Sequence, residues 1–458
     1  MAYNISFYRL VVVILIVNKT YAQTPVDTLI ELKSTVQMAE QRYPLLKARN
    51  YEAHAAAKYV DVVKYSRLPT IDATYQAGFA TANNLTGMFY PNGILPITGP
   101  PSSNNNFTPS TLSAAGILLN WDAATFGQRN ARINVSIAEA VSKSLEWKQE
   151  QFRHKINVIS AYLDVLLSYD AVRIFQQNIV RVQSNLNQSR TLVITGIKPG
   201  VDTALFISEL SKAKIDWLNA KKQLQTQQFS LAQLIVTDAL PVPTDTTFLN
   251  NLPLKSSNDT AFVTHPLIQY AQSQIDLNRS REHLLKKSYL PKLSLWSTAF
   301  ARGSGVQTNG DVKTFDGLAL NRYNYGAGVQ LAFPIMKYGE IKQQLQQQNF
   351  LLKAAEEKYE ENRITLSSQQ NIANTTFNNS IDVATETQQQ LKAAQYAFKA
   401  IQVRYNTGLV NFSDLIQVQY TLLKAELDVK RSYWDAWKAL LLQAAVKGDE
   451  NVFLNEIK

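Results

Sequence analysis

Apolar residues recur every three or four positions through most of the chain, which is typical of helices that bury one stripe. Two windows, 127–195 and 339–407, each cover 68 residue steps without an internal proline or glycine. At 1.5 Å per residue, each window predicts a helix about 100 Å long. The segment after the second window carries two neighbouring apolar seams, so this helix can pack against two others, as in a tube of coiled coils. The seams are Leu415, Val418, Leu422, Ala425 and Val429, and Ile416, Leu423, Leu427, Trp434, Trp437 and Leu441.

The spacing changes to an alternation of apolar and polar residues in four short segments, which predicts β-strands with one apolar and one polar face. The segments are 71–79, 115–121, 292–301 and 325–335. Leu118, Trp296 and Phe300 do not fit, because they fall on the polar side.

Long loops at 81–111 and 302–323 join these strands in pairs. Strands of about ten residues with an apolar outer face and long loops on one side are typical of an outer-membrane β-barrel. Soluble hairpins packed on a helix are the alternative. If the strands cross a membrane, four of them leave open edges, which lipid does not tolerate. Two, three or four chains would then share eight, twelve or sixteen strands.

The chain contains an internal repeat, which fixes its organisation. Pro44 and Pro69 recur 222 residues later, whereas Gly127, the Thr195-Gly196 pair and Asp202 recur 212 residues later. The first hairpin segment, from Pro69 to Gly127, is ten residues longer than the second, from Pro291 to Gly339, and this difference explains both offsets. The predicted units are a first repeat over 23–240 with its hairpin at about 69–121 and tip at 195–202, a linker over 241–261, and a second repeat over 262–458 with its hairpin at about 291–335 and tip at 407–414.

Each long helix needs a return path of similar length. In the first repeat we expect 202–240 to be continued in space by 262–289, after a break at the linker. In the second repeat we expect 414–447 to be continued by the N-terminal helix, roughly 28–67.

The two tips combine residues that end a helix with residues that start one. Gly196 and Gly408 fit the left-handed position after a helix C-terminus. Asp202, and Ser413 with Asp414, fit the N-cap of the next helix. The aspartates either act only as caps or also line a pore.

The first 22 residues predict a secretory signal peptide, because a basic start is followed by the apolar run LVVVILIV and a small residue at Ala22. A buried N-terminal helix is the alternative. The chain has no cysteine, which excludes disulfides and thiolate metal sites. Its net charge of +10 is spread along the helices among acidic residues, which indicates solvated faces and no nucleic-acid partner.

No pattern indicates catalysis, a cofactor or a metal centre. The four histidines His54, His154, His265 and His283 are scattered. The glycine-rich YGAGV lies in an alternating strand, where close packing in a barrel wall is the better interpretation than phosphate binding. We therefore expect a protein that is not an enzyme.

The sequence resembles the TolC family of outer-membrane efflux proteins. The resemblance rests on the duplicated turns TGIKPGVD and TGLVNFSD, the Leu-Pro entry to each first strand, and the run SYWDAWKALLLQAAVKGD. It implies a mixed, mostly α fold of two tandem repeats, each with long coiled-coil helices and a β-hairpin. It also implies a homotrimer with a shared twelve-stranded barrel in outer-membrane lipid and a periplasmic α-helical barrel. The tips would meet a periplasmic adaptor linked to an inner-membrane pump.

The resemblance also assigns residues to a periplasmic gate. Asp414 matches the first of two constricting aspartates, and the second would fall at Gln417. Asp202 and Tyr405 match an acidic and an aromatic position that tie the closed entrance, whereas the basic partner would fall at Val410. The positions that match the adaptor-contacting tip are Gly196, Ile197, Gly408 and Leu409.

The resulting hypothesis is a passive exit duct of a tripartite efflux or type I secretion system, located in the outer membrane and gated at its periplasmic tips. Close carboxylates at the gate would make it sensitive to cations. The alternative is a soluble periplasmic coiled-coil adaptor or scaffold, which would need no outward apolar face on its strands.

Overall fold

The computed structural model describes residues 27–81, 83, 104–253, 264–307 and 311–456. The expected signal peptide lies outside these residues. The described part joins one antiparallel sheet to a wall of long helices, and the sheet stands at one end of the wall.

Within the described residues, six strands form two sheets. They are β1 (Asp27–Ile30), β2 (Thr70–Ala80), β3 (Ser110–Ala124), β4 (Leu240–Pro243), β5 (Lys292–Ser304) and β6 (Arg322–Ala332). The larger sheet has the order β2-β3-β5-β6 and is antiparallel throughout, whereas β1 and β4 pair in parallel. Within the described residues, β2 and β6 each have one edge without a partner strand.

The larger sheet has one apolar and one polar face, as the alternation predicts. Directly paired residues share a face, and one row across the four strands is Ala73, Ile117, Ala299 and Tyr325. Large side chains on this face are exposed in the single chain: Tyr75 by 66%, Tyr325 by 92% and Val329 by 67%. No described residue of the chain covers them. The opposite face carries Thr, Asp, Gln, Asn and Gly.

Two of the three residues that broke the alternation face a glycine directly across the sheet. The structure pairs Phe300 with Gly116 and Trp296 with Gly328, and it pairs a third apolar residue of the polar face, Leu112, with Gly78. A Cβ added at Gly328 would lie 2.6 Å from the Trp296 indole, so only glycine admits the ring. The large side chains are thus packed within the sheet wall.

Eight α-helices occupy most of the remaining described residues. They are α1 (Leu32–Arg42), α2 (Pro44–Tyr65), α3 (Gln128–Ile194), α4 (Val201–Ile235), α5 (Pro266–Lys287), α6 (Tyr338–Asn406), α7 (Phe412–Lys447) and α8 (Asn451–Leu454). The uninterrupted α3 and α6 contain 67 and 69 residues, which confirms the two long helices. No described helix combines the length and the apolar character needed to cross a membrane.

The stacking of the shorter helices differs from the expected continuation. Near the sheet, α2 and α5 pack on α3. Near the tips, α4 and α7 pack on α3. Both α5 and α7 also contact α6. Therefore α2 continues α4, and α5 continues α7. The expectation that 262–289 continues 202–240, and 28–67 continues 414–447, is wrong. The strand order is the reason, because β2 and β5 flank β3 and place α2 and α5 on opposite sides of α3.

The described part of the segment between α4 and α5, which ends at residue 253, consequently passes over α3 to α7 at the middle of the helical wall. A short 3-10 turn in this segment, Thr246–Leu249, places Phe248 edge-on against Trp437 and parallel to Phe453. The Tyr162 hydroxyl, on α3, donates to Asp245 at 2.7 Å. These buried contacts hold the crossing segment on α3 and α7.

Both end-to-end joints are closed by a buried histidine. At the α7–α5 joint, His265 accepts a hydrogen bond from the backbone of Leu267 through Nδ1 and donates from Nε2 to the Ala445 carbonyl at 3.1 Å. At the α4–α2 joint, His154 stacks on Tyr43 and donates to the Leu234 carbonyl at 3.2 Å. Each carbonyl belongs to the last turn of a helix, where intrahelical donors run out. The Ala445 carbonyl also accepts from the Gly448 backbone N–H at 3.3 Å.

These joints predict acid sensitivity. Burial lowers the pKa of both His154 and His265, although nearby Glu150 and Glu40 partly oppose this at His154. Because the folded pKa lies below the unfolded one, the stability contribution is complete above about pH 6.5 and is lost as pH falls through the folded value. The thermal unfolding temperature should therefore fall between pH 7 and 5.5, at up to about 1.4 kcal/mol per pH unit for each proton.

Replacing His265→Asn should flatten this dependence, since asparagine can cap α5 without titrating in this range. The exposed His283→Asn on the same helix is the matched control. A pH slope that is identical in all three proteins would contradict the prediction.

Candidate functional site

The two helix tips end in the same backbone motif. Gly196 and Gly408 have φ of +74° and +80°, a region that favours glycine. The residue after each glycine donates back to the last helical turn: Ile197 to the Leu192 carbonyl and Leu409 to the Arg404 carbonyl, both at 2.9 Å. This is the six-to-one hydrogen bond of a Schellman motif. The predicted left-handed glycines are confirmed.

The helices that follow the two tips start differently, and the expected N-caps are wrong. Asn411 caps α7 in a capping box, in which the Asp414 carboxylate accepts from the Asn411 backbone at 3.1 Å. Asp414 is therefore the third helical residue and not the cap. The cap of α4 is Gly200, without a side-chain hydrogen bond. Asp202 is free to bond elsewhere.

Asp202 and Tyr405 form a buried link between α4 and α6. The Tyr405 hydroxyl donates to the Asp202 carboxylate at 3.1 Å. Asp202 is only 7% exposed and Tyr405 is fully buried, with the ring of Phe206 edge-on against it. Burial, together with the negative charge of Asp202, raises the pKa of Tyr405 to about 12. The phenol thus stays protonated, as a donor, at neutral pH.

Lys198 links the two turns, and the sequence reasoning missed it. Its ammonium donates to the Val410 carbonyl at 2.7 Å and to the Gly408 carbonyl at 3.4 Å. It also lies 5.2 Å from the centre of the Tyr405 ring. Lys198 and Val410 are 212 residues apart, the offset of the repeat. The basic group that the second turn lacks is therefore supplied from the equivalent position of the first turn.

The remaining predicted residues lie on the surface. Ile197 is 55% exposed and Leu409 71%, and Ile197 lies against the Gly408 backbone. Asp414 and Gln417 are exposed one turn further along α7. The structure thus separates a buried latch, formed by Asp202, Tyr405 and Lys198, from these exposed positions. We use the term latch for these three residues below.

Further contacts between repeats stiffen the region behind the latch. Lys212 of α4 donates to the Tyr420 hydroxyl of α7 at 2.8 Å, and that hydroxyl donates to Glu209. Arg181 of α3 pairs with Glu426 of α7 at 2.6 Å. Nothing in the one-dimensional pattern distinguishes these polar residues from solvated ones. Among the described residues, no group of three histidine, aspartate or glutamate side chains could hold a metal ion.

The sheet and the helices together define a class of protein: an apolar-faced β-sheet continued by a tunnel-like wall of helices whose tips are latched. The model of the outer membrane efflux protein family matches residues 35–236 and 259–442. The chain belongs to this family. A comparison with curated protein sequences finds no match.

Solved structures show the same fold. The outer-membrane channel OprN aligns with a TM-score of 0.72 at 14% identity, over 91% of this chain and 89% of its own. The Campylobacter jejuni outer-membrane channel CmeC aligns with a TM-score of 0.72 at 14% identity, over 91% of this chain and 85% of its own. The Neisseria gonorrhoeae outer-membrane channel MtrE aligns with a TM-score of 0.69 at 16% identity, over 92% of this chain and 90% of its own.

The geometry of Lys198 predicts that it holds the two turns together. Lys198→Met should loosen both, because two carbonyls lose a charged donor that is partly shielded from water; this costs about 1–2 kcal/mol. Amide hydrogen exchange in peptides covering 192–200 and 404–412 should become roughly fivefold faster or more.

The exposed Lys424→Met on α7 provides the control, since Lys424 lies on the surface away from the turns. Unchanged protection of both turns in Lys198→Met would show that the contact does not hold them.

Proposed function

We propose that the chain is an outer-membrane exit duct that three copies build together. The observation that carries this proposal is the sheet: its apolar face is exposed and its two edge strands are open. Lipid favours the apolar face but not unpaired backbone groups, so copies must pair edge to edge. Three copies supply twelve strands and close a barrel wide enough for an aqueous lumen.

The helical wall also exposes apolar surface at its two sides. Its two outer columns, α4 and α6, expose large apolar side chains that a neighbouring copy would cover. On α4 these are Leu205, Ile207, Ile215, Leu218 and Phe229; on α6 they are Phe350, Leu351, Ile364, Ile372, Val383 and Val403. Copies that close the barrel therefore also close a helical tube below it, in the periplasm.

The latched tips form the closed entrance in this proposal. Asp202 and Tyr405 hold the closed form, and Asp414 and Gln417 face the passage. The exposed Gly196, Ile197 and Leu409, with the half-buried Gly408, contact a periplasmic adaptor that links to an inner-membrane pump. Opening requires a partner that binds the parted tips more tightly than the latched ones. The MtrE channel was solved in an open state, which supports parting tips in this fold. The family and its solved neighbours are channels, so no catalytic step is proposed.

A pair of lysine substitutions tests the membrane barrel. Tyr325→Lys places a charge on the lipid face, at a cost of about 2–4 kcal/mol near the membrane midplane. Asn324→Lys places the same charge on the lumen face of the same strand. We expect Tyr325→Lys, and not Asn324→Lys, to reduce the amount of heat-labile trimer extracted from outer-membrane vesicles.

The opposite outcome identifies the alternative function. A chain released by osmotic shock as a water-soluble monomer, with both variants behaving alike, would indicate a periplasmic scaffold and would overturn the exit duct.

The latch predicts how the closed state can be destabilised. Tyr405→Phe removes the hydroxyl that donates to the buried Asp202 carboxylate, which costs about 1–3 kcal/mol in the closed state. In single-channel recordings, the open-to-closed ratio should rise roughly tenfold. Tyr396→Phe, on the same helix but 78% exposed, is the matched control. If the open-to-closed ratio of Tyr405→Phe is unchanged, the latch does not control opening of the entrance.

A further inference from the structure

Two arginines face each other on the polar side of the sheet, at the end remote from the helices. The pairing register places Gln76, Ala114, Arg302 and Arg322 in one row across β2, β3, β5 and β6. Residues in one row share a face, and this row belongs to the polar face that lines the lumen of the proposed barrel. Both arginines are exposed in the single chain.

The two arginines place like charges directly opposite each other in the sheet. Like charges directly opposite each other destabilise an antiparallel pair. Among the described residues, neither guanidinium forms an ion pair with a carboxylate. The contact present is that of Arg302 with the ring of Phe300, 5.8 Å from its centre. Next to Arg302 in the row stands Ala114, whose side chain is small and uncharged.

Two residues of the nearby connecting segment, Thr314 and Gly317, lie against the other face. Their carbonyls accept hydrogen bonds from Thr111 and Ser113, which belong to the apolar face. Asp316 of this segment lies 4.0 Å from Lys313. The lumen-facing acids of the sheet are at its helical end, where Asp122 accepts a hydrogen bond from Ser294.

We propose that Arg302 and Arg322 form an anion-binding belt at the extracellular mouth of the lumen. This inference rests on the proposed duct, in which three copies bring six guanidinium groups to one level. Opposed residues lie within about 5.5 Å at Cβ, so both forks reach the same phosphate, sulfate or carboxylate group. Planar guanidinium groups bind such oxyanions in a bidentate manner. The belt gives the outer end of the duct a preference for anionic groups of the exported solute.

Planar-bilayer recordings test the belt. The helical part stays on the side of addition, so the mouth faces the opposite chamber. In a KCl gradient, Arg302→Gln with Arg322→Gln should lower the chloride-to-potassium permeability ratio at least twofold. Sodium tripolyphosphate in the opposite chamber should reduce the wild-type current, and this block should disappear in the double glutamine variant.

Two further variants test whether the effect depends on the guanidinium geometry or on charge alone, and whether the position of the charge matters. Arg302→Lys with Arg322→Lys should keep the permeability ratio but weaken the tripolyphosphate block several-fold, since lysine lacks the planar fork. Lys313→Gln, on the outward-facing segment, should change neither.

Conducting channels in which the double glutamine variant keeps both the ratio and the block would overturn the belt and leave the duct intact. The same holds if Lys313→Gln reproduces the effect of the arginine variants. Failure of both the wild-type protein and the Tyr405→Phe variant to conduct would overturn the proposed duct and the belt with it.

Discussion

Unpaired backbone groups at the two edges of the sheet determine most of what this chain must do. In lipid, an N–H or carbonyl without a partner costs several kcal/mol, and β2 and β6 each present a full strand of them. The chain offers nothing among its described residues to pair with these edges. Large side chains of its apolar face, such as Tyr75 and Tyr325, are also exposed. The proposed duct meets this requirement by pairing the edges of neighbouring copies.

The same sheet also dictates the order of the helices. Because β3 lies between β2 and β5, the long α3 has a shorter helix on each side, and the segment after α4 must cross the wall to begin α5. The buried contacts of Phe248 and Asp245 at that crossing, and the histidines at the two joints, therefore serve one purpose. They hold the two stacks of shorter helices, α4 with α2 and α7 with α5, against the long α3.

Local patterns predicted the elements well, because each depends on near neighbours in sequence. The proline-free windows became α3 and α6, and Gly196 and Gly408 adopted the left-handed conformation. Interactions between distant segments were not predictable in this way. The stacking of α5 on α7 depends on strand order, and no periodicity encodes that order.

The tip region shows the same division. Asn411 caps α7, two residues before the expected Ser413. Both side chains can cap a helix, so the sequence alone does not decide between them. Lys198 escaped notice because its partners are backbone carbonyls of the other repeat, which have no sequence signature. The repeat offset could have revealed it, because Lys198 occupies the position equivalent to Val410.

The packing of Trp296 over Gly328 affects how wide the lumen of the proposed barrel can be. An indole that stood upright from the wall would narrow the passage, whereas one that lies across Gly326 and Gly328 occupies a recess already present in the neighbouring strand. In the proposed barrel, the Trp296 ring would therefore lie along the wall and take little of the width of the lumen at this level.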